Sequence, residues 1–286
     1  MRFGVSGELI PRNMDDVTPA LAARVRELGF SGIFSRFGDN DPHTTNEAQC
    51  RRVRSIMDNA GLAMYQCTGY WQCLIHPDEA RRREAVRTLQ AALRVASWLG
   101  ARGIDTGPGS LSPRGPWFPH PGNWAPEVRQ RLIDSLRECA PVAEECGVIL
   151  SLEGHQLVVL DSARTMREVL DVVASPMVKC DFDPVNWLTL QTVYSTGAAV
   201  TEMVRTLGPH IVSAHAKDVT IADRLVVHID NVAAGTGILD YPTFLRLIED
   251  LDPGFPIIVE AAALDELSAV SAFLHDTARR CGIVVY

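Results

Sequence analysis

Four apolar runs in the second half of the chain each end in a side chain able to hold a metal ion: Val148–Glu153, Met177–Asp183, Ile211–His215 and Ile257–Glu260. The polar ends are 30, 32 and 45 residues apart, about what a strand, a crossover helix and two loops occupy in a βα unit. A chain built this way folds as parallel strands with covering helices. Side chains at successive strand ends then share one edge of the sheet.

The rest of the sequence repeats that rhythm. Four further strand candidates are Phe3–Val5, Gly32–Ser35, Ala63–Cys67 and Gly103–Thr106. Between strands, helical spacing of apolar residues predicts helices over 18–28, 46–60, 78–99, 126–146, 162–174, 188–207, 241–251 and 264–280. Several of these end at a glycine (Gly29, Gly61, Gly100, Gly147) suited to a left-handed cap. Eight strands alternating with eight helices predict a single (β/α)8 TIM barrel over 1–286. An open doubly wound sheet has the same local pattern, but the G-x-G-x-x-G after strand one is missing. The length agrees with one barrel domain of about 250 residues.

Composition excludes several classes. Hydrophobic residues make up 47% of the chain, yet no apolar run approaches the ~18 residues of a membrane span. A net charge of −8 argues against nucleic acid, whose binding rests on clustered Lys and Arg. The one basic run, Arg81 to Arg83, reads as a solvated helix face. Seven scattered cysteines without a C-x-x-C pair read as reduced thiols, and the N-terminus enters a strand pattern at once, so the expectation is a cytoplasmic protein.

In a barrel the carboxyl ends of the strands converge on one mouth, where the chemistry of this fold sits. Glu153, Asp183, His215 and Glu260 would surround one divalent ion there. Three carboxylates and an imidazole suit Mn²⁺ or Mg²⁺, with Co²⁺ or Zn²⁺ as alternatives. Asp181 shares a face of its strand with Asp183, but Asp183 stands at the strand end before Pro184. It is the better ligand, and Asp181 is expected to point inward or to support a ligand.

The segments Ser151-Leu-Glu-Gly-His155, Asp183-Pro-Val-Asn186, His215-Ala-Lys-Asp218, Gly235-Thr-Gly-Ile-Leu-Asp240 and Val259-Glu260 resemble the sugar phosphate isomerase/epimerase group. That group belongs to the xylose-isomerase-like TIM barrels, which also include the family 2 apurinic endonucleases. The likeness spans nearly the whole chain and is strongest from residue 148 onward. It implies a Glu-Asp-His-Glu metal site at Glu153, Asp183, His215 and Glu260, with Glu153 and Glu260 also acting as catalytic acid and base. The physical rationale is that proton transfer beside a carbonyl creates an enediolate, whose charge a divalent ion stabilises, while two carboxylates serve its two faces.

The expected activity is isomerisation or epimerisation of a small sugar or keto-sugar. A metal-dependent dehydratase acting on a keto-cyclitol or keto-glycoside by β-elimination is the alternative, since both start with the same proton removal. A non-catalytic sugar-binding barrel and a DNA-repair nuclease rank lower. The nuclease branch needs additional histidines at the strand ends, and His43, His76, His120, His210, His228 and His275 are dispersed. Substrate contacts are assigned to His155, Asn186, Lys217, Asp218 and Trp117. Trp71, Trp124 and Trp187 also fall in or beside βα loops, whereas Trp98 reads as core. Asp218 has the alternative of orienting Lys217 or His215, and Gly235 and Gly237 are either an anion-binding turn or a turn alone. Arg36 is a single charge and Arg102 precedes its strand, so an unphosphorylated substrate is favoured. The proline-rich segment 107–124 is a lid or a subunit contact. A homo-oligomer, dimer or tetramer, is what the family implies.

Overall fold

The computed structural model describes residues 1–67, 70–226 and 228–286. Eight parallel strands close into a barrel: β1 (Arg2–Val5), β2 (Gly32–Ser35), β3 (Ala63–Cys67), β4 (Gly103–Thr106), β5 (Ile149–Glu153), β6 (Val178–Phe182), β7 (Ile211–Ala216) and β10 (Pro256–Val259). Around the ring they follow chain order, and β1 pairs with both β2 and β10 to close it. Two more strands, β8 (Asp218–Ala222) and β9 (His228–Val232), form an antiparallel hairpin between β7 and the next helix. No helix among the described residues is long and apolar enough to cross a membrane.

The helices are α1 (Pro19–Glu27), α2 (Glu47–Asn59), α3 (Glu79–Leu99), α4 (Pro126–Cys146), α5 (Ala163–Val173), α6 (Thr196–Leu207), α7 (Tyr241–Leu251) and α8 (Leu267–Arg280). Side chains of Thr18, Asn46, Asp78, Ser162 and Asp240 accept a backbone N–H at the starts of α1, α2, α3, α5 and α7, supplying partners that the first turn lacks. Gly100 and Gly147 end α3 and α4 with φ of 72° and 64°, a conformation costly for other residues. The helix expected over 188–207 begins only at Thr196. Its first residues are held in turns in which Thr189 N donates to Thr192 Oγ1 at 2.9 Å and Val193 N to Thr189 O at 2.8 Å. Threonine hydroxyls there compete with the helical ladder.

Alternation along each strand divides the residues between two environments. Leu150 and Leu152, Cys180 and Phe182, Ala214 and Ala216, and Ile257 and Val259 join the large apolar core, to which the inward faces of α1 to α8 also contribute. The intervening residues Ser151 and Glu153, Asp181 and Asp183, Ser213, His215 and Lys217, and Ile258 and Glu260 face the barrel axis.

The barrel interior is layered. At the amino-terminal end, Tyr65 packs with Phe34 and Ile258, and its hydroxyl lies 2.8 Å from Ser31 Oγ. Glycines at 4 and 32 make room for that ring: a Cβ on Gly32 would lie 2.5 Å from both the Tyr65 ring and Ala63 O. Pairing of β2 with β3 slips between Ile33 and Phe34, so that Ile33 faces Met64 and Phe34 faces Gln66. Tyr65 is the extra residue of this bulge, which lets both Tyr65 and Gln66 be buried within the barrel. Gly32→Ala should therefore lower stability by about 1–3 kcal/mol, read as a lower urea midpoint with unchanged slope. A neutral outcome would contradict this account of the barrel floor.

Candidate metal centre

Period-two alternation carries Glu153, Asp183, His215 and Glu260 to the carboxyl ends of β5, β6, β7 and β10. One ligand atom from each lies within 4.8 Å of every other. His215 is fully buried and its Nδ1 is the hub, 3.4 Å from Glu260 Oε2, 3.5 Å from Glu153 Oε1 and 3.8 Å from Asp183 Oδ2. That nitrogen makes no hydrogen bond among the described residues. A left-handed turn at Ala261, φ 57°, takes the chain away directly after Glu260, at a cost of roughly 1–2 kcal/mol for a residue other than glycine.

Beneath the hub, His215 Nε2 faces Asp181 Oδ2 at 3.3 Å. Asp181 is itself held: Ser213 Oγ donates to its Oδ1 at 2.7 Å, and Gln66 Nε2 approaches its Oδ2 at 3.4 Å. Gln66 Nε2 also donates to Ser151 Oγ at 2.9 Å and Ser213 Oγ at 2.6 Å. Such an acid behind a ligand imidazole fixes ring orientation and tautomer. Asp183 stands at the cluster and Asp181 one layer below it.

Lys217 adds a cation. Its Nζ contacts Asp183 Oδ2 and lies 3.6 Å from Glu260 Oε2 and 4.0 Å from Glu153 Oε1. The carboxylates outnumber the one ammonium, and the excess of negative charge suits a divalent ion. Hard oxygen donors, one imidazole and an unbonded buried nitrogen fit such an ion well.

Electrostatics across the cluster are uneven. Burial lowers the pKa of His215, but Glu260, Asp181 and Glu153 outweigh it and hold the ring well above the ordinary imidazole value. Burial raises the Glu153 carboxyl more than His215 and Lys217 lower it, so its net shift is upward. For Asp183 burial is overcome by Lys217 and His215, and for Glu260 by His215, Lys217 and Arg36; both are shifted downward.

A pocket of about 430 Å³ opens onto the cluster, within the size range of small-molecule sites. Asn186 lines it and donates from Nδ2 to Glu153 Oε1 at 2.7 Å and to Gly154 O at 3.2 Å, thereby orienting that carboxylate. His155 lines it as well. Its Nδ1 accepts the Leu157 N–H at 3.1 Å, and burial, aided by Lys217, lowers its pKa, so the neutral ring carries its proton on Nε2. Trp117 reaches the wall edge-on to Trp71, with ring centroids 6.2 Å apart at 83°, and Trp71 Nε1 donates to Asp105 Oδ2 at 3.3 Å. Segment 107–124, which carries Trp117, is anchored by buried Asn123: Leu111 N donates to its Oδ1 at 3.0 Å and its Nδ2 donates to Leu157 O at 2.8 Å.

Asp218, expected among the substrate contacts, is placed elsewhere. It is 1% exposed; its Oδ1 accepts from Val219 N and Leu239 N at 2.8 Å each, and its Oδ2 from Gly235 N at 3.0 Å. Both oxygens are therefore engaged in pinning the hairpin and the glycine turn. The anion that the Gly235–Leu239 turn binds is this carboxylate, and a Cβ on Gly237 would clash with it. Trp187 belongs to the core, with its indole N–H donating to Leu160 O at 3.0 Å, and Trp124 is exposed away from the pocket lining. Arg102 lies beside Asp252, 4.0 Å away, outside the pocket lining.

Sequence reasoning missed Asn231, which β9 brings into the pocket lining. The apolar residues of His228-Ile-Asp-Asn-Val232 are three apart and do not alternate, so no clear sequence signal marked it.

In a thermal melt, adding Mn²⁺ or Mg²⁺ to chelator-stripped protein should raise the midpoint. At a hundredfold excess over Kd the stabilisation is about 2.7 kcal/mol. Asp183→Asn and His215→Gln should remove the rise, and no shift in the wild type would count against a metal centre. Asp218→Ala should cost about 3 kcal/mol or more in chemical denaturation, because it orphans three backbone amides.

The family model described as xylose isomerase-like TIM barrel matches residues 22–276. No curated protein sequence matches this chain. Among solved structures, the 3-keto-D-glucoside 4-epimerase YcjR from E. coli superimposes with a TM-score of 0.73 at 16% identity, over 96% of this chain and 99% of that one. A xylose isomerase-like TIM barrel protein from Mycobacterium smegmatis in complex with magnesium gives 0.71 at 17% identity, over 98% and 96%. The probable 3-DHS dehydratase AsbF from Bacillus anthracis gives 0.72 at 15% identity, over 96% and 98%. At these identities the likeness establishes the fold. The matched span covers most of the closed barrel and all four strand-end side chains, and the chain belongs to the xylose isomerase-like TIM barrel family.

Proposed function

We propose that this protein is a divalent-metal-dependent epimerase or isomerase of a small keto-sugar. The observation that carries the reading is the pair Glu153 and Glu260 beside one ligand cluster, at 3.5 and 3.4 Å from His215 Nδ1, both lining the same open pocket. They come from β5 and β10, which have two strands between them in the ring, so they approach a bound molecule from different sides. One removes the proton from the carbon beside the carbonyl, and the other returns a proton to the opposite face. Glu153, Asp183, His215 and Glu260 would hold the ion, which when bound supplies Lewis-acid charge for the enediolate.

The remaining pocket residues have supporting roles. Asn186 keeps the Glu153 carboxylate in one orientation, and Lys217 offers positive charge to substrate oxygens. Trp71 and Trp117 present aromatic faces and edges to the C–H surfaces of a sugar. Seven unpaired cysteines, four of them buried, agree with a reducing, cytoplasmic compartment.

Dehydration is the second reading, and His155 is the observation that favours it. With Nδ1 occupied by Leu157 N–H, its Nε2–H is a donor in the same pocket, and a departing β-hydroxyl needs such a donor. A solved structure of the same fold is a probable dehydratase.

Metal-loaded protein should be incubated in D₂O with ketoses, hydroxypyruvate and keto-inositols and followed by proton NMR. Deuterium should enter the carbon beside the carbonyl, and the product spectrum separates epimer from dehydrated compound. Glu153→Gln and Glu260→Gln should each lower kcat by about 10²–10⁴. Full turnover in either variant would refute the acid and base roles, and absence of exchange across the panel would refute the activity.

A further inference from the structure

We propose that the groove beside the active-site pocket is an oxyanion subsite, which takes a phosphate or carboxylate borne on the far end of the substrate. The substrate part of this inference rests on the keto-sugar reading above; the anion part does not. The groove, of about 520 Å³, lies between residues 71–81 and the 107–124 segment. Trp71 lines both the groove and the active-site pocket, so the two cavities are neighbours. A molecule with its reacting carbons at the candidate metal centre and a longer tail would extend toward that shared residue.

The lining is chemically one-sided. In a chain of 35 acidic residues and net charge −8, no Asp or Glu lines this groove among the described residues. Arg81, His76 and His120 do. Of the nearby acids, Asp78 accepts Arg81 N at 3.1 Å as the cap of α3 and Glu79 binds Arg82 and Arg83; neither lines the groove.

The basic run from 81 to 83 thus separates into three roles. Arg82 is nearly buried, donating to Glu79, Ser135 and Glu138, and Arg83 pairs with Glu79 on the surface. Arg81 has no side-chain ion pair among the described residues, and it is the one facing the groove. A guanidinium presents paired donors that match phosphate and carboxylate oxygens.

The imidazoles are preset to assist it. His76 Nδ1 accepts Asp78 N–H at 3.0 Å and His120 Nδ1 accepts Gly122 N–H at 3.1 Å. That bond occupies Nδ1 and leaves Nε2 of each ring for another partner. A guanidinium and two imidazoles with no acid in the same lining suit an oxyanion.

Inorganic phosphate is the first probe, titrated by calorimetry against chloride of matched ionic strength. Saturable binding is expected, weakened about tenfold or more in Arg81→Ala and His120→Gln, since a hydrogen bond to a charged group contributes about 1.5–3 kcal/mol. Arg83→Ala should leave the phosphate affinity unchanged. Unsaturable binding, or equal affinity in wild type and Arg81→Ala, overturns the subsite. The second measurement compares kcat/KM for uncharged ketoses, ketose phosphates and keto-acids derived from sugars. The better acidic series identifies the group, and its advantage over the uncharged series should shrink about tenfold in Arg81→Ala. If phosphate binds through Arg81 but neither acidic series is preferred, the groove serves a free anion and the substrate assignment falls. Phosphate binding with no turnover of any ketose would instead refute the proposed activity, and turnover of ketoses without phosphate binding would refute the subsite alone.

Discussion

Three carboxylates held within 4.8 Å of one another at a barrel mouth repel and desolvate one another unless positive charge sits among them. Much of the surrounding structure answers that requirement. Lys217 places an ammonium against Asp183, and the excess of negative charge that remains suits a divalent ion. Arg36 contributes from the rim, where its charge helps to lower the pKa of Glu260. The same requirement explains why β7 presents His215 and then Lys217 on one face: a ligand and a countercharge two residues apart share a side of the strand. Tyr241 adds a clamp by donating its hydroxyl to Lys217 O at 3.0 Å.

Under the charged layer the barrel cannot become apolar at once, because His215 Nε2 needs a partner. Asp181 Oδ2 stands 3.3 Å from it, and a buried carboxylate in turn needs donors. Ser213 and Gln66 provide them, and Gln66 fits because Gly103 has no side chain; a Cβ there would lie 2.7 Å from Gln66 Oε1. Only below this polar layer do Phe34, Tyr65 and Ile258 fill the interior. The descent from candidate metal ligands to hydrogen-bonding residues to apolar rings is set by which partner each group demands from the layer beneath.

The strands and the strand-end cluster were legible in the sequence for a common reason: toward the carboxyl ends of β5, β6, β7 and β10 residues alternate between core and axis, and a polar residue ending such a run has few other places to go. The hairpin β8–β9 was not legible because it lies outside the barrel, is largely exposed on β9, and carries no strong apolar alternation. Asn231 was missed with it. Asp218 was misread because motif position says where a backbone passes and not which groups compete for a carboxylate. Three backbone amides meet it here, an arrangement formed only when the 235–239 turn folds back onto the start of β8. The early start expected for α6 failed in a similar way, since helical spacing over 188–195 did not register that Thr189 and Thr192 hydrogen-bond locally.

The 107–124 segment shows how a long loop can still position a side chain. Ordering an irregular stretch of this length costs conformational entropy, and a loop held only at its ends would place Trp117 poorly. Asn123 lies 0% exposed beneath it and ties its two halves together through Leu111 N and Ser110, then to the neighbouring β5–α5 connection through Leu157 O. From Trp117 the contact passes edge-on to Trp71 and through the indole N–H to Asp105 at the end of β4. Burial, with the charges of Glu153 and Asp181, raises the Asp105 carboxyl well above its ordinary pKa, so this chain of contacts ends beside the charges of the candidate metal centre. The aromatic wall and the ligand cluster are thus parts of one connected arrangement, although the residues that form them are far apart in sequence.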